Sequence, residues 1–171
     1  MIVSERLTLR LPRLTDLEDV HAIFSDDEAM TYWSSAAHRT LAQTAEWLQP
    51  LFDEPEASPF DYFIDFEGRI IGKLGCWRLP DIGYVLNRAY WGRGFAREAL
   101  AAFVAHMRAL RATDYLLADV DPRNTRSRQL LLSFGFRHVG YRQNSMKTHI
   151  GWCDSDYYRL DLEPAMLSAA L

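Results

Sequence analysis

Two glycines one residue apart, Gly92 and Gly94, stand between a strand-like segment and a helix-like one, with Ala96 two residues on. Glycine lets a loop turn sharply and lets backbone approach a ligand with no Cβ in the way. A loop of this kind at a helix start points several amide N–H groups in one direction, at the positive end of the helix dipole, and so makes an anion site. Arg93 and Arg97 flank it, which favours a phosphate or pyrophosphate. A lone Gly-x-Gly also serves ordinary turns, so the surroundings must decide. A P-loop is excluded, because it needs Gly-x-x-x-x-Gly-Lys-Ser/Thr and no lysine lies here. A dinucleotide fingerprint fits poorly. Arg97 stands where its third glycine belongs, and the preceding strands read as antiparallel hairpins rather than parallel βαβ units.

The elements around the loop come from local signals. Arg6 to Leu11 alternates polar and apolar, as a half-buried strand does. Thr15-Asp16-Leu17-Glu18 has capping-box spacing and predicts a helix to about Ser25; Thr40-Leu41-Ala42-Gln43 predicts a second, towards Leu51. Between them lies Tyr32-Trp33-Ser34-Ser35, a stretch suited either to a substrate entrance or to packing. Strands are expected at Tyr62 to Phe66 and Ile70 to Trp77, joined through Gly68 as a hairpin. After Leu79-Pro80-Asp81 a third strand, Ile82 to Asn87, leads into the glycine loop. Leu100, Phe103, Val104, Met107 and Leu110 then share one face of a helix. Tyr115 to Val120 is a strand, Asn124 caps a helix that Gly135 stops, and strands near Arg137 to Thr148 and Asp156 to Leu162 follow. This order gives an α+β fold with a mixed, mostly antiparallel central sheet flanked by helices, as one domain over residues 1–171.

Composition narrows the partners. Aromatics make up 13% of the chain and the formal net charge is −4, which argues against a general nucleic-acid binder. From Arg88 to Arg142, however, ten arginines face four carboxylates, Glu98, Asp114, Asp119 and Asp121. A basic segment inside an acidic chain suits a small polyanion. No apolar run approaches the roughly 20 residues of a membrane helix, and the start lacks a signal-peptide pattern. With Cys76 and Cys153 the only cysteines, a cytoplasmic protein with reduced thiols is expected. The His, Cys, Asp and Glu spacings show no metal set, and there is no Gly-x-Ser-x-Gly elbow.

Two motifs about 30 residues apart carry a family resemblance. Trp91-Gly92-Arg93-Gly94-Phe95-Ala96 resembles the cofactor loop of the GNAT acetyltransferase superfamily, with Trp91 in place of its first residue, and Asn124, Ser127, Leu130, Gly135 and Phe136 match the family's later motif. Ile82-Gly83-Tyr84-Val85-Leu86 and Gly151-Trp152-Cys153-Asp154-Ser155 resemble the ribosomal-protein N-terminal (alanine/serine) acetyltransferase branch. The resemblance implies an acetyl-CoA co-substrate held between two strands. Backbone of Tyr84, Val85 and Leu86 would pair with the pantetheine arm, and Trp91, Gly92 and the amides of Arg93, Gly94, Phe95, Ala96 and Arg97 would hold the pyrophosphate. Asn124 and Ser127 would contact the cofactor near its thiol.

It also implies transfer of acetyl to a primary amine by direct attack in a ternary complex. The acceptor is a protein N-terminus or a small molecule, and the enzyme a monomer or homodimer. A non-catalytic CoA-binding or regulatory domain is the alternative, and a nucleotide-binding enzyme a third reading. An α-amine has a pKa near 8 and lysine near 10.4, so a base or water relay helps. Asp81 is the candidate base, and the Leu86 backbone N–H the candidate donor to the carbonyl oxygen. Tyr32, Trp33 and Asp154 are candidate acceptor-binding residues. The family's tyrosine acid is replaced by Leu131, which leaves the donor to the departing sulfur open.

Overall fold

The computed structural model of the protein describes residues 1–162. Eight strands make one sheet: β1 (Ile2–Val3), β2 (Thr8–Arg10), β3 (Phe60–Phe66), β4 (Arg69–Arg78), β5 (Asp81–Leu86), β6 (Tyr115–Val120), β7 (Arg137–Thr148) and β8 (Gly151–Asp161). They lie in the order β1-β2-β3-β4-β5-β6-β8-β7. Every neighbouring pair is antiparallel except β5 and β6. Four α-helices flank the sheet: α1 (Leu17–Phe24), α2 (Leu41–Asp53), α3 (Phe95–Leu110) and α4 (Thr125–Ser133). This is the mixed, mostly antiparallel α+β architecture expected from the order of signals.

Periodicity explains the layering. On α3, Phe95, Ala99, Leu100, Phe103, Val104 and Met107 are buried, a three-and-four spacing that makes one apolar face. They pack with the buried alternate residues of β6, Leu116, Ala118 and Val120, and with Leu131 of α4. The intervening residues of β6, Leu117 and Asp119 among them, therefore face the opposite side. There α1 and α2 bury Val20, Ile23, Phe24 and Leu48 against Phe63, Ile70 and Val85. Phe95, the first residue of α3, is only 1% exposed. Burying an aromatic side chain contributes roughly 1.5–3 kcal/mol, and it pins the helix start where the glycine loop delivers it.

Local departures have local causes. Thr15 does not cap a helix. Asp16 instead turns inward, accepting the Arg13 backbone N–H at 2.6 Å and both terminal nitrogens of buried Arg10 at 2.7 and 2.9 Å. Thr40 does cap α2, its side chain accepting the Gln43 N–H. β8 begins at Gly151 rather than Asp156, because the whole segment pairs along β7.

The feature that positions the site is the seam between β5 and β6. Their register holds a single pair, Asp81 with Leu117, and Leu117 N–H donates to Pro80 C=O at 3.0 Å. β6 stays paired with β8 along its full length, from Tyr115 to Val120. Beyond Asp81 the two parallel strands part, and the sheet opens as a V.

Candidate active site

The opening is the mouth of a cleft of about 970 Å³. One wall is β5, with Tyr84, Val85 and Leu86; the end is the glycine loop and the first turn of α3; the other wall is the start of α4. Asn87 N–H donates to Ile71 C=O on β4 at 2.8 Å. Strand alternation then turns the backbone groups of Leu86 and Tyr84 the other way, into the V, while Val85 spends its own on β4. The C=O of Leu86 is taken by the Trp91 indole N–H at 2.8 Å. Its N–H is left facing the cleft. The Val85 side chain joins the α1–α2 core.

The glycine loop has the geometry of an anion cradle. Gly92 and Gly94 have φ of +72° and +83°, backbone that side-chain-bearing residues seldom adopt. Gly94 is the N-cap of α3 and, lacking a side chain, caps nothing. The first helical bond runs from Glu98 N–H to Gly94 C=O at 3.0 Å. The N–H groups of Phe95, Ala96 and Arg97 thus have no acceptor within the helix, at the positive end of its dipole. A Cβ built on Gly92 meets nothing within 4 Å, so the space before the loop is clear. These features fit a pyrophosphate.

Around the cradle, Arg126 of α4 lies over the Trp91 ring at 4.8 Å, and Arg97 donates to Ser133 Oγ at 3.0 Å. Both arginines line the cleft. Arg93 does not: its guanidinium stacks on Phe95 and Tyr90, at 4.9 and 5.3 Å. Its carbonyl is held from behind by Arg6 Nη1 at 3.3 Å. Arg6 also donates to Glu98 from its backbone N–H and its Nε, each at 2.7 Å. The segment between β1 and β2 therefore staples the cradle to the first turn of α3. Sequence reading missed this residue, because the contact spans about ninety positions and no local pattern announces it. Arg6→Ala is expected to raise the KM for acetyl-CoA roughly tenfold, the worth of a charge-assisted hydrogen bond, with kcat little changed. Steady-state kinetics at fixed acceptor check this.

On the opposite wall, Asn124 Oδ1 accepts the Ser127 N–H at 3.1 Å, so the asparagine is the N-cap of α4 and lines the cleft as well. Ser127 Oγ lies 2.7 Å from the hydroxyl of Tyr84, which reaches across the V from β5. Burial pushes the Tyr84 phenol up to about 12, partly opposed by that hydrogen bond. The phenol therefore stays protonated at any physiological pH.

The loop between α1 and α2 supplies the aromatic side. Tyr32 and Trp33 line the cleft. A Cβ built on Gly83 would lie 3.9 Å from the Trp33 ring, and the Tyr32 hydroxyl reaches Arg123 C=O at 3.5 Å. Arg88, beside the glycine loop, holds this segment through Asp26 and Glu28, each at 2.9 Å.

Two candidates lie elsewhere. Asp81 sits at the closed end of the V, paired with Arg78 at 3.0 Å. Asp154 accepts the Tyr141 hydroxyl at 2.7 Å and the Asn144 N–H at 2.9 Å, within the β7–β8 hairpin and away from the cleft lining. A different carboxylate stands where the strands part: Asp119, two residues past Leu117 on the same face of β6 as that pair. Its side chain is exposed on that face and, like those of Asp81 and Asp154, lies outside the cleft lining. Crowding by the surrounding protein, with the charges of Asp81 and Asp121 nearby, raises its pKa above the ordinary carboxylate range, and a hydrogen bond from Ser155 opposes the rise. Asp81 and Asp121 are each tied to an arginine. Asp119 enters no ion pair among the described residues. Its signal in the sequence was the lone acid in the polar phase of a half-buried strand.

Comparison with known proteins places the chain in one family. The family described as the Acetyltransferase (GNAT) domain matches residues 6–137. The uncharacterized N-acetyltransferase p20 of Bacillus licheniformis is 30% identical over 148 residues, 81% of this chain and 83% of its own. The ribosomal protein uS5-alanine N-acetyltransferase of Escherichia coli is 30% identical over 169 residues, 90% of this chain and 86% of its own. A crystal structure of a GNAT-family acetyltransferase from Bacillus anthracis superposes with a TM-score of 0.83 at 25% identity, covering 95% of this chain and 99% of that one.

Proposed function

The chain belongs to the GNAT acetyltransferase family and is an acetyl-CoA dependent N-acetyltransferase; from that premise we propose that it acetylates a primary amine, on a protein N-terminus or a small molecule, by direct attack within a ternary complex. The observation that carries this reading is the parting of β5 from β6 with a pyrophosphate cradle at one end of the gap and an unpaired, raised carboxylate beside it. The N–H groups of Phe95, Ala96 and Arg97 would hold the pyrophosphate, with Arg97 and Arg126 adding charge. The backbone groups of Tyr84 that face the V would pair with the pantetheine arm as an added strand would.

The amine would approach from the face that carries Asp119, between the Trp33 side and β8. Asp119 would take the proton that the nitrogen loses as it bonds to the carbonyl carbon. A base whose pKa lies above the usual carboxylate range is better matched to that task. The Leu86 N–H, not engaged by β4, is placed to donate to the carbonyl oxygen as it gains charge. Asp81 is then not the base; its charge raises the proton affinity of Asp119.

The likeness to the uS5-alanine enzyme favours a peptide α-amine as the first acceptor to try. The test is release of free CoA thiol with α-amino peptides, amino sugars and polyamines offered in parallel. Turnover of one class above the rate with water alone is expected. Acetyl-CoA that binds and is consumed with none of them would contradict the reading.

A further inference from the structure

Glycine inside a strand weakens it, and its presence there marks a bend or the close approach of backbone or ligand. On β4 the chain itself supplies the cause. A Cβ on Gly72 would stand 2.7 Å from the Val85 carbonyl oxygen and 2.8 Å from Leu86 Cδ1, and one on Gly75 would run into the Phe60 carbonyl oxygen. Gly83 of β5 is different. It lies in the middle of its strand, outside the left-handed region, and within 4 Å a Cβ there would meet only the Trp33 ring, at an ordinary 3.9 Å. Neither backbone conformation nor packing among the described residues calls for a glycine at this position.

Its place in the sheet supplies a reason. Asp81 pairs with Leu117 where the V closes. The next positions on that face are Gly83 on β5 and Asp119 on β6, one on each side of the parting. Gly83 is partly exposed, so its bare backbone is open on the face from which the amine would come. We propose that Gly83 and Trp33 set the size of the acceptor: the carbon that carries the amine rests on the bare Gly83 backbone across from Asp119, and the edge of Trp33 admits a carbon bearing hydrogen or methyl and turns away a branched one. This rests on the reading that the amine approaches from the Asp119 face.

Trp33 is built as a fixed wall. The Phe24 ring meets it edge-on with centroids 5.9 Å apart. Lys73 Nζ, buried and paired with Asp61, stands 5.9 Å from the ring centroids of both Trp33 and Trp47. A ring held from two sides resists swinging aside for a larger group. The steps of the transfer are unchanged. The pair acts earlier, on which amine reaches the thioester carbon before the N–C bond forms and the C–S bond breaks.

The test is kcat/KM for glycinamide, alaninamide and valinamide, whose amine-bearing carbons carry hydrogen, methyl and isopropyl. Their amines are all of the α-amine type, with pKa near 8, so the comparison reads size. Wild type is expected to favour the first two over valinamide by about tenfold or more. Gly83→Ala should lower kcat/KM for alaninamide by roughly 10- to 200-fold, the range for one methylene in a close-fitting pocket. It should cost glycinamide less and leave the KM for acetyl-CoA within about threefold. Alanine is tolerated better than glycine inside a strand, so the melting temperature should not fall. Trp33→Phe should narrow the gap between valinamide and alaninamide. An equal loss on glycinamide and alaninamide overturns the proposal, as does a matching rise in the acetyl-CoA KM, or a wild type that takes valinamide as readily as glycinamide. Turnover of amino sugars or polyamines but of none of these amides overturns it too and leaves amine transfer standing. No turnover of any amine would overturn the transfer reading beneath it, a separable result.

Discussion

Asp119→Asn is expected to lower kcat by about 10²- to 10⁴-fold, the range for removal of a positioned general base, and to leave the acetyl-CoA Kd within about threefold. The change is nearly isosteric, and solvent reaches the side chain, so the fold is expected to stay intact. The pH profile adds a signature that a structural role would not produce. Catalysis needs Asp119 unprotonated, so kcat/KM falls as pH drops through its pKa. That pKa is raised by the crowding of neighbouring protein and by the charges of Asp81 and Asp121, which puts the acid limb above the ordinary carboxylate range. Asp81→Asn removes one of the charges that raise it, and the limb should move to lower pH. Asp81→Asn should also cost less than about tenfold in kcat, since Asp81 itself is tied to Arg78. If Asp119→Asn kept full turnover, or Asp81→Asn abolished it, the two roles assigned here would be wrong.

The second large effect belongs to the cradle. Gly94 has φ of +83°, and a Cβ there would stand 3.5 Å from Arg6 Nη2. Gly94→Val places a β-branched residue in left-handed backbone, a strain of about 1–3 kcal/mol. The loop would relieve it by turning its amides off the pyrophosphate. Losing about 2–3 kcal/mol of that binding corresponds to a rise of roughly 30- to 150-fold in the KM for acetyl-CoA. The KM for the amine should change far less. An unaltered acetyl-CoA KM would refute the placement of the pyrophosphate on this loop.

What the sequence made legible follows from how local each signal is. The glycine loop, the Asn124 cap and the apolar face of α3 are encoded within a few residues of themselves, and they stand where the pattern put them, except that Leu110, the last residue of α3, is exposed where the helix runs past the sheet. Asp16 shows how a local signal loses. Its spacing from Thr15 and Glu18 reads as a cap region, but a buried arginine six residues back recruits the carboxylate. Asp81 and Asp154 stand beside recognised segments, and their partners, Arg78, Tyr141 and Asn144, cannot be read from that. Asp119 and Arg6 show the reverse. Their importance depends on which strands part and which segment packs behind the loop, and both are set by tertiary pairing. The Tyr84–Ser127 contact joins residues 43 positions apart, across a gap that exists only because β5 and β6 share a single register pair.

The cleft between β5 and β6 is expected to bind acetyl-CoA through the Gly92–Gly94 cradle. Titration calorimetry with acetyl-CoA, set beside ATP and NAD, is the decisive measurement. One equivalent of acetyl-CoA binding at micromolar Kd, about 7–8 kcal/mol of affinity, is the expected result, with Gly94→Val weakening it and neither nucleotide competing. Absence of acetyl-CoA binding at high micromolar concentration, or tighter binding of ATP or NAD at the same site, would contradict it.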